Sequence, residues 1–226
     1  MKKFIIFLSL IFISTISFAH IDHYKNFNKI EMEILRNNEV IGYNYYFFNK
    51  ENDSLIVTNQ FKFKVKLFGA TVFEVEGYGE EKYIKDNLIS YKSKTLQNKK
   101  EKFVNLNLNK TTQKFDIKGS SFTGEASLKN VVGNWWSHRI LQAESQISPI
   151  SGSVKEQIVT FVGKENITLN GKEYETDRFK LNSKDLSLQD DKKLNFDIWV
   201  DKNTSMIVKV TYKRMGNWEY RLKNIE

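Results

Sequence analysis

The sequence predicts an all-β protein: a single curved antiparallel sheet, open or half-barrel in outline, with one short helix covering its concave face. Three observations predict it. Apolar and polar residues alternate with period two from Phe27 to the C-terminus, in short runs rich in Phe, Tyr, Ile, Val and Thr. Asn, Asp, Gly and Lys separate those runs, and with one proline and no low-complexity linker nothing marks a domain boundary. One segment alone, "VVGNWWSHRILQ", breaks the alternation, its apolar residues recurring at three- and four-residue spacing.

The chain opens with "MKKFIIFLSLIFISTISFAH", in which Lys2 and Lys3 precede an apolar run and a Ser-Phe-Ala triplet closes the segment. That order is the order of a secretory signal peptide, with cleavage expected after Ala19. The run is too short and wrongly flanked to span a membrane, and no later segment offers the roughly 20 apolar residues that spanning requires. Residues 1–19 therefore read as a signal peptide and residues 20–226 as one antiparallel β domain, exported to the periplasm in soluble form with no transmembrane anchor. Loss of Lys2 and Lys3 lowers the formal net charge from +8 to +6. There is no cysteine, so neither a lipid at the cleavage point nor a disulfide contributes, and packing must hold the fold alone.

"KIEMEILRNNEVIGYNYYFF" reads as a hairpin: Ile30, Met32 and Ile34 share a face, and Asn37-Asn38 tolerates the positive φ of a tight turn. A second hairpin is "FKFKVKLFGATVFEVEGYGEEKY", Phe61 to Tyr83, where Phe61, Phe63, Val65 and Leu67 point one way and Lys62, Lys64 and Lys66 the other. Keeping both apolar faces together demands an even register sum. Centring the turn on Ala70 sets Lys66 against Glu74 and Lys64 against Glu76, so the lysine row reads as a wet face matched in charge across the strands. Strands follow at residues 88–97, 103–109 and 114–118. "NKKEK", Asn98 to Lys102, reads as a solvated hairpin tip, since nucleic-acid or lipid-headgroup binding calls for a broad face of Lys and Arg. In "VVGNWWSHRILQ", Val132, Trp135, Trp136 and Ile140 would share one side of a short helix. Beyond Pro149 and Gly152 come strands at 154–162, 167–169, 172–181, 194–201, 206–214 and 218–222, with Asn170-Gly171 as the clearest turn.

The chain resembles a family of bacterial periplasmic proteins catalogued as a domain of unknown function. The signal peptide carries the resemblance, with "VKLFGATVFEVEGYGEEKY", "NWWSHRILQ" followed by "ISPISGS", "ENITLNGKEYETDRFKL", "NFDIWVDKNTSMIVKV" and the closing "WEYRL". It covers nearly the whole mature chain, although Ser137 and His138 follow Trp136 where members often carry Asn-Pro. The resemblance implies a curved antiparallel sheet similar in outline to the half-barrels of periplasmic lipoprotein carriers. It brings no catalytic residues.

The residues themselves offer no base, nucleophile or metal set at workable spacing, which predicts a non-catalytic protein without a cofactor. Tyr78 and Lys82 have the Tyr-x-x-x-Lys spacing of a helical dehydrogenase pair, but on a strand they lie roughly 13 Å apart. Glu80 with Glu81, and Asp190 with Asp191, are neighbours that face opposite ways on strands, and read as solvated strand ends and turns. The ligand-binding candidates are Trp135, Trp136, Ile140 and Leu141, on a helix that either plugs a closed core or acts as a lid over a cleft for an acyl chain. The lid reading makes the protein a carrier or sensor of a lipid or similar hydrophobic molecule. The metal candidates are His20, His23 and His138: cleavage after Ala19 would make His20 the first residue, whose amine and ring could bind copper and define a redox protein instead. A purely structural or protein-interaction module of the cell envelope is the third reading.

Overall fold

The computed structural model describes Tyr24 and residues 26–226. Fifteen strands make up the described fold: β1 (Lys29–Arg36), β2 (Glu39–Glu51), β3 (Ser54–Leu67), β4 (Ala70–Ile84), β5 (Asn87–Gln97), β6 (Lys100–Asn109), β7 (Lys114–Gly119), β8 (Thr123–Ser127), β9 (Val131–Val132), β10 (Ser145–Ile147), β11 (Val154–Leu169), β12 (Lys172–Ser183), β13 (Asn195–Asp201), β14 (Ile207–Lys213) and β15 (Asn217–Ile225). They form one sheet in the order β8-β7-β6-β5-β4-β3-β2-β1-β15-β14-β13-β12-β11-β10-β9. Neighbours are antiparallel except β9 with β10. The chain thus meanders outward from the middle, where β1 pairs with β15. β8 and β9 stand at the two edges and are not paired with each other, so the sheet is not a closed barrel.

The turns follow largely from the amide and glycine residues that separate the runs, Lys85-Asp86 being the exception. Positive φ at both central positions marks the two-residue turns Asn37-Asn38, Phe68-Gly69, Lys85-Asp86, Asn98-Lys99 and Asn170-Gly171. Their twist matches that of the flanking strands. The β3–β4 turn closes at Phe68-Gly69, which corrects the register expected from a turn on Ala70. Its first pairs are Leu67 with Ala70 and Lys66 with Thr71, an odd register sum that, continued, would set Lys64 against Phe73. A bulge between Val65 and Lys66 takes up Val72 and restores the even sum, giving Val65 with Phe73, Lys64 with Glu74 and Lys62 with Glu76. Lys64 is matched to a glutamate as expected, but to Glu74 in place of Glu76; Glu76 faces Lys62 instead, and Lys66, expected opposite Glu74, faces Thr71. Lys62 Nζ lies 2.6 Å from Glu76 Oε2 and Lys64 Nζ 3.2 Å from Glu74 Oε2.

Curvature is dictated by the core. Fifteen strands laid flat would span roughly 67 Å. Yet every strand contributes to one apolar cluster, from Phe115 and Ala126 in β7 and β8 to Leu181 and Ile198 in β12 and β13. Only a sheet curled on itself brings these together. A smaller cluster of Ile34, Phe63, Val65, Val75 and Trp218 fills the concave face nearer the β1–β2 and β3–β4 turns. Between β8 and β11 the chain crosses the concave face as an irregular segment holding β9, β10 and one turn of 3-10 helix, His138–Leu141.

That segment corrects the expected helix. Trp135 packs edge-on to Phe196 at 5.0 Å, whereas Trp136 packs against Tyr24, Phe48 and Tyr83 on the other half of the sheet. Adjacent residues lie only about 100° apart on a helix, and the two indoles reach separate partners because the chain bends at Trp135 and Trp136 without forming a helical turn. Ser137, extended at φ −121° and ψ 127°, then caps the 3-10 turn by accepting from the Arg139 N–H. β11 runs unbroken where two strands are expected, because a bulge between Phe161 and Gly163 absorbs the change of phase. The short strands β8, β9 and β10 carry too few alternating residues to be read from sequence.

Candidate functional site

β4 presents Val75, Gly77, Gly79, Glu81 and Tyr83 to the concave face, because side chains alternate along it. Glu81 is therefore buried, 2% exposed, while Glu80 faces outward. The opposite orientation of this pair matches the sequence reading; the solvated environment expected for Glu81 does not. Its Oε1 accepts from Asn134 Nδ2 at 2.7 Å and from Trp136 Nε1 at 2.8 Å, and its Oε2 accepts from the Tyr83 hydroxyl. Burial raises the Glu81 carboxyl above the usual carboxylate range, against the pull of these donors and of the Arg139 guanidinium. The signal was available in the sequence: Glu81 is in phase with Val75 and Tyr83 on the apolar side of its strand.

The crossing segment is fastened along its length. Trp135 N–H donates to the Tyr46 hydroxyl at 3.1 Å, Arg139 Nη1 to the Asp86 carbonyl at 2.9 Å, and Gln157 Nε2 to the Ile140 carbonyl at 2.6 Å. Further along, Tyr91 and Ser93 both donate to the Pro149 carbonyl. Beside this segment, against β4 to β7, lies a cavity of about 480 Å³. Tyr83, Leu88, Leu108, Phe115, Val132 and Ile140 supply its apolar lining, with Glu81 and Trp136 in the same wall. It opens to solvent past Ile84 and Leu128, each 40% exposed, and past Lys85, Lys129 and the half-buried Arg139. Two further recesses, of about 460 and 510 Å³, lie along the lysines of β3 and along Arg178, Lys180 and Asp197. Their charges are largely occupied, Lys62 and Lys64 by glutamates and Arg178 and Lys180 by Asp197. The cavity beside Glu81 is the candidate site.

Of the four ligand-binding candidates, Trp136 and Ile140 line this cavity. Trp135 is buried on the far side among Phe196 and Tyr220, and Leu141 packs against the main core. Of the metal candidates, His20 and His23 lie outside the described residues. His138 Nδ1 is 2.8 Å from the Ser205 carbonyl oxygen and 3.0 Å from the Tyr24 hydroxyl. Among the described residues no three of His, Cys, Asp and Glu group to hold a metal ion, and no helix is long and apolar enough to cross a membrane.

A family model described as a domain of unknown function, DUF6134, matches residues 32–223. The chain belongs to the DUF6134 family. Its fold is similar to that of a β-barrel-like protein of the domain of unknown function DUF1849 from Brucella abortus, at 10% identity and TM-score 0.58 over 88% of this chain and 95% of that one. A Bacteroides fragilis protein with a YmcC-like fold aligns over 88% of this chain and 94% of its own at 9% identity, with a TM-score of 0.37. No curated protein matches the sequence. The DUF1849 likeness agrees with the open, barrel-like sheet of this DUF6134 protein.

Proposed function

We propose that this protein is an exported, non-catalytic binding protein that holds a hydrophobic molecule with an anionic head in the cavity beside Glu81. The observation that carries the reading is the cavity itself. Its volume of about 480 Å³ falls within the range of ligand sites, its lining sets aromatic and aliphatic side chains beside polar ones such as Asn87, Gln113 and Asn134, and it opens to solvent. The tail would lie among Leu88, Leu108 and Phe115, and Lys129 and Arg139 at the mouth supply the charge for a carboxylate or phosphate head, with Lys85 beside them already facing Asp53 at 3.7 Å. Among the described residues, Arg139 uses one of its five side-chain donors, on the Asp86 carbonyl. Of the plug and lid roles weighed for them, Trp135 takes the plug, while Trp136 with Ile140 forms a fixed wall of the cavity in place of a lid. The leader-like residues 1–19 support export.

Native mass spectrometry of protein purified from its envelope, with titration by a fluorescent aliphatic carboxylate, tests the reading. We expect a one-to-one complex, lost in Leu108→Trp, which fills the cavity without exposing new polar groups. Arg139→Gln should weaken the carboxylate about tenfold and leave the matching alcohol unchanged, as expected for one charge-assisted contact. A folded protein that binds neither probe would leave the structural or protein-interaction module as the reading.

A further inference from the structure

The meander places the β5–β6, β3–β4, β1–β2 and β14–β15 turns side by side at one end of the sheet, the end away from the cavity mouth. Direct bonds tie them in two adjacent pairs, β5–β6 with β3–β4 and β1–β2 with β14–β15. Asn98 N–H donates to the Glu74 carbonyl at 3.0 Å, Asn37 N–H to the Asn217 carbonyl at 2.7 Å, and Arg36 Nη2 to the Met215 carbonyl. Strand spacing sets successive turns roughly 10 Å apart, in a row of roughly 34 Å along the sheet.

This end carries two features that the individual strands do not explain. Its tips are apolar: Phe68 is fully exposed, Met215 is 89% exposed, and Leu67, Val72, Val40 and Leu96 are each about half exposed. Phe68 and Met215 both have φ +50°, a left-handed conformation that is unfavourable for large side chains and that Asn or Gly would adopt readily. The end is also basic. Lys62 and Lys64 are neutralised by glutamates, but Lys66 faces Thr71, and Lys99, Lys100, Lys213 and Arg214 form no ion pair among the described residues. Glu39 and Glu101 are the acidic residues of these four turns; the β12–β13 loop that follows at the same end adds Asp185, Asp190 and Asp191 among Lys184, Lys192 and Lys193, with Asp190 paired to Lys193. "NKKEK" is thus one part of a broad basic face, which its isolated sequence does not reveal.

We infer that this end docks on an anionic lipid bilayer, with Phe68 and Met215 entering the headgroup layer and the lysines and Arg214 meeting lipid phosphates. Separate apolar points spaced among cations suit a fluid charged surface, where each point inserts independently. A protein partner would more naturally require one continuous apolar patch.

Flotation of the exported protein with vesicles tests this. We expect binding to vesicles of phosphatidylethanolamine with phosphatidylglycerol, at least tenfold weaker binding to phosphatidylcholine alone, and release at high salt. Phe68→Asn with Met215→Asn should reduce binding about tenfold or more while keeping or raising the melting temperature, because Asn tolerates positive φ. Lys66→Glu with Lys100→Glu should do the same through charge. A Phe68→Trp variant should show, relative to the parent, an emission shift to shorter wavelength on the anionic vesicles. Equal affinity for neutral and anionic vesicles, no binding to either, or an emission of the Phe68→Trp variant that changes only with an added envelope protein would each overturn the assignment.

Discussion

Glu81 accepts a hydrogen bond from the Trp136 indole at 2.8 Å, across 55 residues of sequence. This bond and its companion from Asn134 fix the crossing segment to β4, and so hold one wall of the cavity in place. Replacing Glu81 by Ala would strand three donors in the interior. We expect a loss of about 3 kcal/mol or more, measured by urea denaturation. Glu81→Gln keeps an acceptor for Asn134 and Trp136 and a donor toward Tyr83, so its cost should be small.

The same pair of variants predicts a pH dependence. The folded-state carboxyl titrates above its ordinary value of 4.5, so the folded state holds the proton more tightly than the unfolded state does. The group's contribution to stability is therefore full below the ordinary value and is lost as pH rises through the folded one. Glu81→Gln cannot lose it. The stability of Glu81→Gln relative to the parent should climb with pH from about 4.5 upward and then level off; a difference that is flat across that window would contradict a raised carboxyl.

The register of β3 and β4 predicts which charge reversals rescue each other. Lys64→Glu should be restored by Glu74→Lys and not by Glu76→Lys, while Lys62→Glu should be restored by Glu76→Lys. These pairs are exposed, so each coupling should be about 0.2–1 kcal/mol. Double-mutant cycles from denaturation midpoints measure it directly.

The indoles are predicted to matter through packing. Trp136→Ala removes contacts with Tyr24, Phe48 and Tyr83 and should cost about 3–5 kcal/mol, with loss of near-ultraviolet circular dichroism. Trp135→Ala should cost as much through Phe196 and Tyr220 but leave binding of the aliphatic probe intact in the folded fraction, because Trp135 does not line the cavity.

The copper alternative makes its own prediction. N-terminal sequencing of the exported protein should return His20 as the first residue if cleavage follows Ala19. A non-metal role for His138, bonded at the Ser205 carbonyl, then requires that Cu(II) affinity by calorimetry be unchanged in His138→Ala and no tighter than that of an unstructured peptide. Tenfold weaker binding in the variant would instead favour the copper reading.

Alternation along Val154–Leu169 and Lys172–Ser183, and the Asn170-Gly171 turn between them, could be read from sequence because both depend on neighbouring residues: side chains alternate every two positions, and positive φ selects Asn and Gly. The sequence by itself thus determined the all-β class, the order of the hairpins and the opposite facing of Glu80 and Glu81. It limited the lysine register to one parity but not to its partners, since a bulge at Val72 obeys the same parity as a wider turn. Tertiary structure decided the rest. Whether Glu81 meets water or Trp136, whether "NWWSH" winds or only bends, and whether "NKKEK" stands alone or beside Phe68 all depend on strands far apart in the chain curling over one another. Burial is set by what covers a residue, and here the cover comes from 55 residues away.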